Sequence, residues 1–452
     1  MGLQPFVFLL VVAGSLGMAH RSFRRIRHNI RLGRETVPET APDPAQAWRN
    51  VLLLAFGQRK MFKKWWPAVL HLTIYAAFLL TQVELLEIFT DGITGRHRVF
   101  ASGLGSFYPF LISFIEVLSL LALMATLVFL YRRNIRTVYR FRQPEMAGWP
   151  RKDGNLILLG EILLIAGIFS MNGADMVLQA RQVPGYPLTG GFAVSGWLGP
   201  ALFGGLPVDV LVLVERTGWW LHLLTVLAFL NYLPLSKHLH ILLAFPNTFL
   251  ARQAPQGNVR NMPDIQREVT AMLFPEQAGT QQVQVAENGK DPVFGARDIF
   301  DLDRKNLLDA YTCTECGRCT AACPANLTGK KLSPRKIMMD VRDRMEEVGR
   351  HLDSRSGQEA RPADAYDDGK SLFDYISAEE LQACTTCQAC VEACPVMINP
   401  LDIILQLRRH QILMESAGPA DWLPLFNSLE NSQAAWSVPT PRDAWRTTVE
   451  VD

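Results

Sequence analysis

Outside two short runs this 452-residue chain contains no cysteine: all eight fall between positions 313 and 394. A cysteine nucleophile elsewhere is therefore excluded, and so is a disulfide framework spread across the fold. No Cys-x-x-Cys-His occurs, which excludes a covalently attached c-type haem, and no Cys-Cys pair occurs either. Neither a Gly-x-Gly-x-x-Gly fingerprint nor a P-loop is present, so nucleotide phosphates find no ready cradle. Charge of one sign is also lacking. The 45 Lys and Arg nearly balance the 43 Asp and Glu, which gives no reason to expect nucleic acid. Histidine is scarce, with nine residues, and long apolar runs are confined to the first 250 or so.

The two cysteine runs are Cys313–Pro324, CTECGRCTAACP, and Cys384–Pro395, CTTCQACVEACP. Each reads Cys-x2-Cys-x2-Cys-x3-Cys-Pro. Structural zinc commonly takes two pairs of ligands and would leave the later cysteines and the prolines unexplained. The spacing resembles that of the bacterial two-cluster ferredoxins, in which the fourth cysteine of each run ligates the other cluster. That resemblance implies one [4Fe-4S] cluster on Cys313, Cys316, Cys319 and Cys394. It implies a second on Cys384, Cys387, Cys390 and Cys323.

Five stretches of the first half are candidate membrane spans: Gln4–Ala19, Trp65–Phe89, Tyr108–Tyr131, Asn155–Leu178 and Val208–Leu233. The last four reach the roughly 20 residues that a bilayer requires. The first is shorter, but it has no basic residue before it and no clear cleavage site after it, so it is expected as a retained span. Arginines and lysines alternate with the spans. Arg21 to Arg34, Arg59 to Lys64 and Arg132 to Arg142 form basic clusters, whereas the loops after spans two and four carry only Arg96, Arg98 and Arg181. The positive-inside rule then places the N-terminus outside the inner (cytoplasmic) membrane and the cysteines in the cytoplasm.

Four histidines stand where iron ligands belong. His71 lies in span two, His222 in the outer half of span five, and His238 and His240 at the cytoplasmic end of span five. Depth pairs His71 with His238 or His240, and two axial imidazoles would hold one low-spin haem b. Eighteen residues, or five whole turns, separate His222 from His240 on an unbroken helix. The phase therefore favours His240, with Pro234 able to disturb it. A second haem at His222 needs a partner near position 81, where Thr81 stands. His97 is the remaining outer histidine, and it sits on a loop. Glu84, Glu87, Glu116, Glu161, Asp175 and Glu215 lie within or beside the spans, where ionisable groups are costly. Each is read either as a proton carrier for a quinone or as an acid paired with an arginine.

The span layout, with His71 on span two and His222 and His240 on span five, resembles the gamma subunit of respiratory nitrate reductase over about residues 45–250. The resemblance implies haem b and electron exchange with quinol, though Thr81 departs from that family's two-haem pattern. Residues 251–294 read as a polar linker with a short helix near Ile265–Leu273. From 295 to 415, helical patterns in IFDLDRKNLLDA, LSPRKIMMDVRDRMEEV and NPLDIILQLRRHQIL surround the cysteines, with a loop expected between Ser354 and Asp368. Together with ISAEELQACTTCQACVEACPVMINP, this resembles the iron-sulfur subunit of heterodisulfide reductase and related modules of succinate dehydrogenase and glycolate oxidase.

The tail, 416–452, looks like the segment that precedes a Cys-Cys-Gly domain in fused relatives. Without such a motif here, the resemblance implies a separate Cys-Cys-Gly subunit or a flavoprotein as partner. The expected fold is all-α: a five-helix transmembrane bundle over 1–250 joined to a cytoplasmic α-helical two-cluster ferredoxin. The expected role is electron transfer between quinone and a soluble partner. The rivals are a haem-free anchored ferredoxin and a self-sufficient iron-sulfur reductase.

Overall fold

The computed structural model describes residues 3–35, 41–136, 138–255, 257–274, 293–354, 366–436, 443, 444 and 446. The expectations for residues 275–292 of the linker, 355–365 of the loop and most of the tail beyond 436 lie outside the described residues. Among those described, the chain is all-α, with one isolated bridge between Arg34 and Asp303.

Five helices are long and apolar enough to cross a membrane: Gln4–Ile30, Arg59–Thr94, Phe107–Asn134, Trp149–Ala180 and Val208–Leu235. The first belongs to α1 (Leu3–Ile30). The second contains α2 (Trp65–Leu80) and α3 (Gln82–Thr94), which meet at Thr81. The others contain α4 (Phe107–Asn134), α5 (Trp149–Ala180) and α6 (Val208–Tyr232). Leu79, Leu86, Phe110, Leu121, Met124, Leu159 and Leu213 point outward and exposed, which is the arrangement a hydrocarbon solvent favours.

Glycines let the bundle close. A Cβ on Gly218 of α6 would stand 2.6 Å from the Met171 nitrogen of α5, and one on Gly167 would stand 3.0 Å from the His222 nitrogen. Backbones therefore touch where side chains would otherwise hold them apart. Dispersion over such close contacts is what drives helix association once lipid has removed the hydrophobic incentive.

The helix carrying His222 does not continue to His240. It ends at Tyr232, because Pro234 has no N–H to donate and crowds the preceding turn. Two 3-10 turns follow, Leu233–Leu235 and Lys237–Leu239, before α7 (His240–Phe249) starts. The eighteen-residue phase relation expected between His222 and His240 accordingly does not hold.

The second half is built from α8 (Arg304–Thr312), α9 (Arg318–Ala322), α10 (Pro334–Ser354), α11 (Ala389–Ala393) and α12 (Pro400–Leu413), with α13 (Trp422–Ser432) beyond them. The helix expected from Ile299 is interrupted. A 3-10 turn covers Ile299–Asp301, and Asp303 caps α8 with a reciprocal bond to Asn306. The apolar core of this half takes in Ile26 of α1 and Leu239. The two halves thus share a core, and basic residues of the membrane half meet the cysteine-bearing half. Arg25 pairs with Asp353, Arg34 with Asp301, and Lys60 and Lys63 with Glu392.

The α5–α6 contact sets a test. Gly218→Val should destabilise the bundle by about 1–3 kcal/mol through overpacking, seen as a lower melting temperature in detergent. An unchanged melting temperature would mean that the two helices do not meet there.

Candidate functional site

The two cysteine loops are copies in backbone as well as in sequence. Two residues after the first cysteine of each, Glu315 (φ 55°) and Thr386 (φ 58°) are left-handed; two residues further on, so are Gly317 (φ 70°) and Gln388 (φ 60°). These turns fold each loop back on itself, and a short helix, α9 or α11, then carries the chain to the fourth cysteine. Gly317 is needed for a second reason. A Cβ there would lie 2.4 Å from Arg335 Nη1 and 3.2 Å from the Arg140 side chain.

The packing of α9 against α11 brings the fourth cysteine of each run toward the other run. The Cys394 thiol faces Cys316 and Cys313, and Cys319 lies among Cys313, Cys316 and Cys394, with Cys390 of the second run also near it. Cys390 lies among Cys384, Cys323 and Cys387. Cys323, Cys384, Cys387 and Cys390 line one pocket, walled by Leu332, Leu401 and Ile404. Among the described residues no three His, Cys, Asp or Glu converge as a single metal ion requires.

Burial, helped by neighbouring cysteines, pushes the thiols of Cys313, Cys390 and Cys394 up to about 12. Only bound cationic metal makes such a set comfortable as thiolates. Backbone N–H groups are already aimed at sulfur: Ile398 donates to Cys394 Sγ at 3.3 Å and Thr386 to Cys384 Sγ at 3.4 Å. The donor set therefore fits two [4Fe-4S] clusters.

The helix break at Pro234 brings three of the four candidate histidines together. The rings of His71 and His240 have centroids 6.5 Å apart, and those of His238 and His240 are 6.0 Å apart. His71 Nδ1 meets Gln58 Oε1 at 3.1 Å, and His240 Nδ1 donates to the Lys237 carbonyl at 3.0 Å. Both rings are thereby oriented, leaving Nε2 free as a ligand. Burial holds His240 below its ordinary pKa and lowers His238 to about 3, helped by His240 and His71. The neutral form is the one that can bind metal. His238 Nδ1 is buried without a hydrogen-bond partner.

His222 lies elsewhere, buried against Gly167 with Nδ1 on the Leu164 carbonyl at 3.0 Å. His97 is engaged by Asp175 at 3.1 Å and by Arg216 at 3.1 Å.

Sequence reasoning does not place two arrangements. Arg98, expected on a loop, is 4% exposed and binds Asp175 at 3.1 Å and Tyr108 at 3.2 Å. The acids of spans two and four thus serve it as counter-ions; their surplus over nearby arginines was the available signal. Lys237 is the second. Its backbone N–H bonds Asp153 at 3.1 Å, and its ammonium reaches into the first cysteine loop to pair with Glu315. The residue next to His238 therefore grips the residue between Cys313 and Cys316.

Comparison with known proteins agrees with the cysteine site. The 4Fe-4S dicluster domain family matches residues 312–398. The chain is 29% identical to the probable iron-sulfur-binding oxidoreductase FadF of Bacillus subtilis over 88% of its own length and 54% of that protein's. It is 24% identical to the EtfAB:quinone oxidoreductase of Syntrophomonas wolfei, over 87% of its own length and 53% of that protein's. Over 25% of its length it is 32% identical to one subunit of a CoB-CoM heterodisulfide reductase of Methanosarcina acetivorans, covering 53% of that polypeptide. The chain thus spans about half the length of these relatives. No solved structure matches it.

The exchange of fourth cysteines can be checked directly. Cys394→Ser should abolish the cluster held by Cys313, Cys316 and Cys319 while sparing the other in the electron paramagnetic resonance spectrum. Loss of the second run's cluster alone would contradict the arrangement.

Proposed function

We propose that this chain is the membrane-bound electron-transfer component of a quinone-linked oxidoreductase. Electrons would pass between quinone in the bilayer and a soluble redox partner through one haem b and two [4Fe-4S] clusters. Cys313, Cys316, Cys319 and Cys394 would hold one cluster, and Cys384, Cys387, Cys390 and Cys323 the other. His71 and His240 would hold the haem, with His238 as the competing ligand. The carrying observation is the junction at Lys237, which binds the histidine site to the first cysteine loop through its pair with Glu315.

The residues fit a bis-histidine iron. Two imidazoles sharing one metal at about 2.0 Å per bond put their ring centres roughly 6 Å apart; His71 and His240 stand at 6.5 Å and the competing pair His238 and His240 at 6.0 Å. Bound there, haem b supplies a one-electron couple. The chain orients both rings through Gln58 and the Lys237 carbonyl. His222 has no such partner in this reading, because His97 is committed to Asp175 and Arg216.

The distribution of arginines supports a cytoplasmic position for the cluster-bearing half and an outside N-terminus. Residues 1–250, 251–294, 295–415 and 416–452 would serve as membrane domain, linker, dicluster domain and docking tail. The relative named as an EtfAB:quinone oxidoreductase favours a flavoprotein as the soluble partner over a Cys-Cys-Gly subunit.

Anaerobically purified protein should carry about eight cluster irons and one haem b per chain. His71→Ala and His240→Ala should each remove the reduced b-type spectrum, while His238→Ala keeps it. A full complement of cluster iron with no haem would instead describe a tethered ferredoxin.

A further inference from the structure

The two cysteine loops match in backbone but not in surrounding charge. At the first, the Arg140 guanidinium faces the Cys316 thiol. Arg342 faces Cys313 and pairs with Glu315 at 2.8 Å. Arg318 lies between Cys316 and Cys319 in the chain. Arg335 has no exposed surface and donates to the carbonyl oxygens of Arg140 at 2.7 Å and Glu315 at 3.5 Å. Lys237 adds its ammonium. Against these cations stand four carboxylates: Glu315, Glu145 on Arg335 at 2.7 Å, Asp343 on Arg342 at 3.4 Å, and Asp153 on Lys237 at 3.6 Å.

The second loop has Arg408, which donates to the Leu381 carbonyl at 2.9 Å and the Cys384 carbonyl at 2.6 Å. Lys60 and Lys63 are answered by Glu392, and Lys63 is 59% exposed. Reduction adds one negative charge to a cluster, so nearby cations favour it, and buried cations act with the least screening. Solvent works the other way, since exposure of Cys387 favours reduction of the second cluster. The two effects are unequal. Cys313 and Cys394 are each 8% exposed, and Cys323 and Cys390 are 6% and 8%. The difference in solvation therefore rests mainly on one cysteine, whereas two arginines, Arg140 and Arg342, face thiols of the first run and one, Arg408, faces Cys384 of the second.

We infer that the cluster of Cys313, Cys316, Cys319 and Cys394 has the higher reduction potential, so that electrons run inward, from a soluble donor past Cys387 toward the His71–His240 site. This rests on the proposed function and adds its direction. Each step moves one electron: the second cluster is oxidised as the first is reduced, with no bond made and no proton moved. The donor is a carrier that releases single electrons, such as a reduced flavin, and the final acceptor is quinone. Arg140 and Arg342 act here by setting a potential, without touching the partner.

The test is a potentiometric titration of the detergent-purified full chain, followed by electron paramagnetic resonance. The signal that appears first on reduction should be the one missing from Cys394→Ser. Arg140→Gln and Arg342→Gln should each shift that midpoint to lower potential and leave the other in place, and Arg140→Lys should restore it. If the first signal is instead the one missing from Cys384→Ser, or if neither arginine substitution moves a midpoint, the inference is overturned. The titration needs no quinone. A reversed order with quinone reduction intact would sink the direction alone, whereas the expected order without quinone-linked oxidation would sink the proposed function alone.

Discussion

The structure depends on how the charged end of the membrane half is neutralised. Basic residues crowd that end because they cannot enter hydrocarbon, and most of their partners are carboxylates of the cysteine-bearing half: Asp301, Glu315, Asp353 and Glu392. One pair runs the other way, with buried Arg335 reaching Glu145. Exposed pairs of this kind contribute at most about 1 kcal/mol each. Removing one partner of a buried pair costs about 3–5 kcal/mol, because the other charge is stranded. The pairs made by Arg335 and by Lys237 with Glu315 therefore decide where the first cysteine loop sits, and that loop faces the histidines.

The interior of the membrane half follows a similar rule. Arg98 is surrounded by Glu87, Asp175, Tyr108 and Asn172. Glu116 accepts from the backbone nitrogens of Val194 and Ser195 at 2.8 and 3.0 Å. These buried acids are held by donors of the protein itself, as a low-dielectric solvent demands. Glu84 is the exception, with one oxygen left without a partner.

Features that depend on local sequence were legible. Five apolar runs became five membrane-length helices, and the doubled cysteine spacing led to a 4Fe-4S dicluster domain. The helices at Pro263, Pro334 and Pro400 begin close to where apolar periodicity placed them. Features that depend on contact between distant segments were not legible. The phase between His222 and His240 holds only on an unbroken helix, and Pro234, legible as a disturbance, ends it; the break, rather than helical phase, sets His238 and His240 beside His71. Arg98 was read as a loop residue because nothing in its neighbours along the chain shows acids of separate spans gathering around it. The Lys237–Glu315 pair spans 78 residues of sequence and has no local signature.

The central claim is that electrons reach the bilayer through the His71–His240 site. Its most direct test is rapid mixing of the reduced, anaerobic full chain with a short-chain quinone, following cluster absorbance in the intact protein and in His71→Ala. The account expects prompt cluster oxidation in the intact protein and oxidation slowed by at least about a hundredfold in the variant, a barrier difference of about 2.7 kcal/mol. Equal rates in both proteins would contradict it and leave the membrane helices as an anchor.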